Sequence, residues 1–252
     1  MVLRHSGAVL YRASALADAA AAAGADRRLP VAAELTAVLP GLRRGSTVAV
    51  RAGASSLVLA LLAGVSGGGG WSAVVGMPRL SGLAAAAAGV DLSRLALVPH
   101  PGPDWPVVVA ALLDGVDLVV VAPPGPVAPR LAARLAARAR LRGNVLMPYG
   151  QWEGADLTLS VEADVWHGLG VGRGRLRWRE STVRAWGRGA AHRPRQIRVQ
   201  LPGPAGRLAA LPSGAIEPDA VPSGAQPEPE AARRRPALTV IKGGGRGRPE
   251  AA

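Results

Sequence analysis

Residues 49 to 64, AVRAGASSLVLALLAG, run from an apolar strand-like segment through a Gly/Ser turn into an apolar helix. Proteins hold phosphates in that frame. Backbone N–H groups curl around the anion, a lysine ammonium meets the β and γ oxygens, and a hydroxyl ligates magnesium. Gly53, Ser55 and Ser56 keep the outline of such a cradle. Its gripping groups are missing. The lysine slot falls on Ser56 and the hydroxyl slot on Leu57, while the chain's single lysine, Lys242, lies near the C-terminus. The polar remnant leaves only weak nucleotide binding through Gly53, Ser55 and the helix N-terminus.

The second chemically loaded feature is arginine. Lysine and arginine number 30 against 17 acids in 252 residues, a net charge of +13. Residues 171 to 200 hold nine arginines and one acid, Glu180, and residues 127 to 142 hold five arginines and no acid. These two segments account for a charge equal to the whole excess. That asymmetry points to a polyanionic partner. The plainer alternative is that a GC-rich coding sequence places arginine on solvated faces. Arg173, Arg175, Arg177 and Arg179 alternate along one strand face, with Leu176 and Trp178 on the other. Arg130, Arg134 and Arg138 repeat at i,i+4 spacing on one helix face, and Leu131 and Leu135 lie on a neighbouring face turned toward a sheet. These seven arginines are the nucleic-acid candidates. Trp178 and Trp186 could stack bases beside them, although Trp178, alternating with arginines, is expected to face the core.

Other chemistries find little support. The chain has no cysteine, and His5, His100, His167 and His192 are scattered without metal-ligand spacing, so no metal site and no cofactor are expected. Asp91, Asp104, Asp114, Asp117, Glu153 and Asp156 form no paired-carboxylate or triad pattern. Asp91 and Asp114 suit capping or turn positions. Asp117 stands at the wrong end of its strand, because ligand sites in parallel sheets gather at the carboxyl ends. GLGVGRG (168–174) precedes a strand instead of opening a helix and reads as a hairpin connection. The longest apolar run, Leu57 to Val65, is far short of the roughly 20 residues a bilayer span needs. Arg4, His5 and Arg12 interrupt any secretory signal. A cytoplasmic protein, extending to nucleoid association and without a membrane partner, is the expectation.

The elements that would position these residues are legible. Residues 1–28 form an alanine-rich helical arm, and LPVAAELTAVLPG a short helix. Strands are expected at 46–51, 71–76, 95–98, 117–122 and 144–147, with helices between them, including one from about Ser56 to Val65. Strands alternating with helices argue for an α/β fold around a mainly parallel sheet. After Tyr149 the pattern changes to period two in ADLTLSVE, RGRLRWRE, STVRAWGRG and RQIRVQL, which predicts antiparallel strands extending the sheet. The expected core spans 29–201. A Pro/Gly/Arg-rich tail from 202 to 252 is expected to be disordered, with ALTVIKGGG as a short exception.

LPVAAELTAVLPGLRRGSTVAVRAGASSLVLALLAG resembles the opening of the RecA-type ATPase core: short helix, turn, strand, phosphate loop and LAL-containing helix. AAAAGVDLSRLALVPHPGPDWPVVVAALLDGVDLVVVAPPG is similar to the stretch leading to the strand that carries the magnesium-binding aspartate. The resemblance spans about residues 30–200 and implies a RecA-like three-layer core. It also implies where catalytic groups should stand. Ala122 occupies the position of the metal-binding carboxylate and Met77 that of the catalytic glutamate. Lacking these and the lysine, the chain most resembles ImuA-type proteins, which keep the core without a working phosphate loop. The implied role is a non-enzymatic accessory of translesion synthesis, partnering an ImuB-like Y-family polymerase homologue and an associated error-prone polymerase, with DNA as a further contact. The alternatives are a basic DNA-binding module and a divergent nucleotide-binding ATPase.

Overall fold

The computed structural model describes residues 28–169, 174–188 and 193–211, all within one compact unit that ends at Pro212. Residues 1–27 of the expected arm (1–28) and the expected tail from Pro212 lie outside the described residues, and Arg28, the last residue of that arm, stands in a strand instead of a helix.

Four helices alternate with the first strands. β1 (Arg28–Leu29) and β2 (Leu42–Arg43) pair as a small antiparallel ribbon. Between them the expected short helix is only a single 3-10 turn, Ala33–Leu35. Pro30 and Pro40 bracket too few residues for a helix whose nucleation is costly. Burial of Leu35, Val38, Leu39 and Leu42 fixes the segment instead. β3 (Val48–Val50) leads into α1 (Ser55–Gly67), which is apolar on every side and is ended by a run of glycines. β4 (Ser72–Val75), α2 (Gly82–Ala88), β5 (Leu95–Val98), α3 (Trp105–Leu112), β6 (Leu118–Val121), α4 (Pro129–Arg142) and β7 (Val145–Pro148) follow. Ser81 caps α2 by accepting the N–H of Ala84. Pro129 opens α4, where its fixed φ suits the first turn, and Arg140 and Arg142 face the negative end of the helix dipole.

Two hydrogen-bonded groups of strands run in the orders β5-β4-β6-β7 and β3-β8-β9-β10-β11, and they join where β7 meets β3. There Leu146 N–H donates to Ser46 C=O at 3.1 Å and Gly150 N–H to Val50 C=O at 2.8 Å. β5, β4, β6, β7, β3 and β8 (Leu157–Leu169) are mutually parallel. β9 (Gly174–Gly187), β10 (Arg195–Gln200) and β11 (Ala209–Ala210) continue antiparallel. The mainly parallel sheet with an antiparallel extension is therefore the architecture. Residues 174–187 of the two stretches read as separate strands, RGRLRWRE and STVRAWGRG, form the single strand β9, and ADLTLSVE, expected to be antiparallel, enters β8 parallel to β3.

The strand residues sort by alternation into two cores. Leu118 and Val120 of β6 and Val145 and Met147 of β7 face α1 and α2. Val119, Val121 and Leu146 face α3 and α4, where Val109, Leu113, Leu135 and Ala139 meet them. Helices on both faces of one sheet make three layers. The ordered chain also runs past the expected tail boundary at 202. Leu201 is buried, Gly203 N–H bonds Arg207 C=O at 2.7 Å, and Ala210 pairs with Val199, so residues 202–211 close the sheet.

Candidate functional site

The phosphate-loop position lies at the carboxyl end of β3, where ligands gather in such sheets. Only Arg51 to Ala54 separate β3 from α1. The motif G-x-x-x-x-G-K-[ST] sets its first glycine six residues before the lysine. With Ser56 in the lysine slot, that glycine slot falls on Val50, which is fully buried and paired with Leu159. The strand thus occupies the start of the would-be cradle. Gly53 turns the chain with a φ of +92° and no atom near where a Cβ would stand. Its N–H, an amide that a phosphate would take, donates to the Tyr149 hydroxyl at 2.9 Å. Ala54 N–H folds back on Arg51 C=O at 3.3 Å. Ser55 is exposed, Ser56 half-buried, and Leu57 points wholly into the core.

The neighbouring strand ends are equally unsuited to a metal. Ala122 follows β6 and donates its N–H to Val75 C=O at 2.9 Å. Its carbonyl presses so close to Gly76 that a Cβ there would come within 2.2 Å. Met77 packs against the core. Among the described residues no three His, Asp or Glu side chains cluster as a metal site.

Each carboxylate with a hydrogen-bonded partner does structural work. Asp117, at the amino end of β6, accepts Trp71 N–H at 2.9 Å and pairs with Arg44 at 2.8 Å. Asp156 accepts Thr47 N–H at 2.9 Å. Asp91 caps the 3-10 turn Leu92–Arg94 through the N–H and hydroxyl of Ser93, which holds its pKa below the ordinary carboxylate value. Asp114, after α3, receives Arg138 and Arg142 from α4. The Arg138 hydrogen bond, above all, lowers the Asp114 pKa, and the same bond raises that of Arg138.

The arginine candidates separate into distinct environments. Arg130 and Arg134 are exposed on α4, without an ion pair among the described residues. Arg138, on the same face, is committed to Asp114. Arg179 donates to Leu201 C=O at 2.8 Å and lies 5.2 Å over the Trp166 ring. Arg175 and Arg177 belong to β9, and Arg173 lies outside the described residues. Since β9 stands three places beyond β7 in the strand order, the two groups occupy different parts of the sheet. Trp178 does not join either core, contrary to its alternation with arginines. It pairs across the strands with His167 and stacks on that ring at 3.7 Å and 9°. Two further strand arginines are matched by acids the composition obscured: Arg184 meets Glu162 at 3.1 Å and Arg198 meets Glu180 at 2.8 Å. Tyr149 is the site residue that sequence reasoning missed, since nothing local announces that its hydroxyl reaches a loop 96 positions away.

Residues 37–154 match the MT3502 N-terminal domain family. Over 117 residues the chain is 45% identical to an uncharacterized protein of Mycobacterium tuberculosis, covering 46% of this chain and 57% of that protein. The chain thus spans little more than half the length of that relative. The crystal structure of the RadB recombinase superposes with a TM-score of 0.55 at 13% identity, over 71% of this chain and 97% of that one. The fold is accordingly RecA-like. No helix among the described residues is long and apolar enough to cross a membrane.

Proposed function

We propose that the protein is a non-catalytic, RecA-like accessory factor of damage-induced mutagenesis, an adaptor for an ImuB-like Y-family polymerase homologue and its associated error-prone polymerase. The observation that carries this reading is the Tyr149–Gly53 hydrogen bond in a loop without lysine, magnesium hydroxyl or carboxylate. Phosphoryl transfer is almost wholly positioning and charge stabilisation, and a site without the lysine and the metal-binding carboxylate lacks the groups that supply them. What the scaffold retains is a rigid three-layer core with helices and a strand extension presented to other macromolecules. Co-purification with an ImuB-like partner at micromolar concentration tests the reading. A stable complex supports it, and its absence, or ATP turnover by the purified chain, removes it.

A second reading has its own observation. Arg130 and Arg134 stand exposed on α4, with no acid to satisfy them among the described residues. They suit contact with a nucleic-acid backbone, whose affinity falls with salt as counterions are released. Fluorescence anisotropy with labelled DNA across a salt series tests it, and salt-independent or undetectable binding rejects it.

A further inference from the structure

At the end of β3 opposite the phosphate-loop position, the structure holds a half-open cleft of about 430 Å³. It lies where the β1–β2 ribbon, the amino ends of β3 and β8, the end of β9 and the start of β10 converge. Arg28, Arg43, Arg188, Arg193 and Arg195 line it, against the single carboxylate of Asp156. All five arginines are exposed, and among the described residues none finds an acidic partner. Asp156 is already engaged by Thr47 N–H. The floor beneath is aliphatic: Val38, Leu39, Val48 and Ala185 are buried and Leu157 half-buried.

Two features say that this charge is held for an occupant. Arg28 and Arg43 stand directly opposite each other in the antiparallel register of β1 and β2. Like charges so placed repel, a local cost that an anion between them removes. Arg44, Arg138, Arg142, Arg184 and Arg198 each meet a carboxylate of this chain, whereas here five arginines without such a partner among the described residues gather around one cleft, apart from the exposed Arg130 and Arg134 of α4.

The lining selects the kind of anion. Among the described residues no tryptophan, tyrosine or histidine faces the cleft. Single-stranded nucleic acids are gripped by aromatic platforms that stack bases beside a basic groove, and none is offered. Guanidinium forks match carboxylates in bidentate geometry, and an aliphatic floor takes a branched side chain. The volume falls in the range of about 300–1,000 Å³ typical of pockets that enclose a small ligand, enough for one such side chain and its flanking backbone.

We infer that this cleft docks an acidic peptide segment of a partner protein, with an aliphatic side chain on the Val38–Leu39–Val48 floor and flanking carboxylates on the arginines. The inference does not depend on that partner being a polymerase homologue.

Panning a random dodecapeptide phage library on the full chain tests it, with a single-stranded 12-nucleotide DNA as competitor. The expected result is enrichment of peptides pairing an aliphatic residue with two or more Asp or Glu. Their affinity should fall about tenfold or more when Arg188→Glu and Arg195→Glu are combined, because charge reversal turns attraction into repulsion. Arg28→Glu with Arg43→Glu on the opposite rim should give the same loss, so failure of one variant to fold leaves the other to decide. Enriched peptides without acidic bias, or bound equally well by both variants, would overturn the inference. Displacement of the peptides by tighter-binding DNA would overturn it too, assigning the cleft to nucleic acid.

Discussion

The hydroxyl of Tyr149, just past β7, accepts the N–H of Gly53 at 2.9 Å, and the next residue, Gly150, donates its N–H to Val50 at 2.8 Å. One short segment thus stitches both sides of the turn that would cradle a phosphate. The bond is made within the protein, so the turn is complete without a ligand. Its consequences can be measured.

Tyr149→Phe removes the acceptor and leaves the ring. Gly53 is exposed, so water can replace the hydroxyl, and the loss of stability should be about 0.5–1 kcal/mol. Urea denaturation measures this, and the Gly53 amide should exchange faster by NMR. Unchanged exchange would show that the hydroxyl does not order the turn.

Gly53→Ala isolates the backbone. Nothing lies within 4 Å of the added Cβ, yet φ is +92°. The substitution should cost about 1–2 kcal/mol through the left-handed conformation alone. A thermal melt that does not shift would mean the turn adopts another conformation in solution.

Ser56→Lys combined with Leu57→Thr restores the letters of the motif without its geometry. Val50 still fills the first glycine slot inside β3, so no ATP turnover should appear in a phosphate-release assay. Leu57 is fully buried, and placing a hydroxyl there should cost about 2–3 kcal/mol. Hydrolysis by this variant would contradict the closed-loop account.

Arg130→Ala with Arg134→Ala tests the DNA-contact reading. Removing a phosphate-binding arginine should reduce the salt slope of binding by about 1, while stability should change by less than about 0.5 kcal/mol at these exposed positions. Arg138→Ala should instead lower stability, because it strips Asp114 of its main partner. Equal effects of all three on DNA and none on stability would dissolve the distinction drawn between them.

Asp114→Asn has a defined pH signature. The Arg138 bond holds the folded-state pKa of Asp114 below its unfolded value. The pair's contribution is therefore complete above the ordinary carboxylate pKa of about 4 and disappears as pH falls through the lower folded value. Urea midpoints of wild type and variant should differ at neutral pH and converge in acid. A gap that widens in acid would reverse the assignment.

Local chemistry alone determined much of this protein. Short apolar runs punctuated by Gly and Pro placed β3 through β7 and α1 through α4 within a few residues, because such runs and breaks are properties of short segments. That Ser56, Leu57 and Ala122 offer neither a lysine nor a carboxylate was equally visible in the letters. The placement of Leu131 and Leu135 toward the sheet also followed, since Leu135 is buried and Leu131 packs beside it. Where a local rule competed with packing it failed. Trp178 found His167 across the hairpin, and the segment between Pro30 and Pro40 was shaped by its buried leucines instead of by helix propensity. Only the tertiary structure could place β7 beside β3, which brings Tyr149 to Gly53, or gather Arg28, Arg43, Arg188, Arg193 and Arg195 around one cleft. Strand order is set by the summed burial of both sheet faces, a quantity that belongs to the assembled layers and to no single segment.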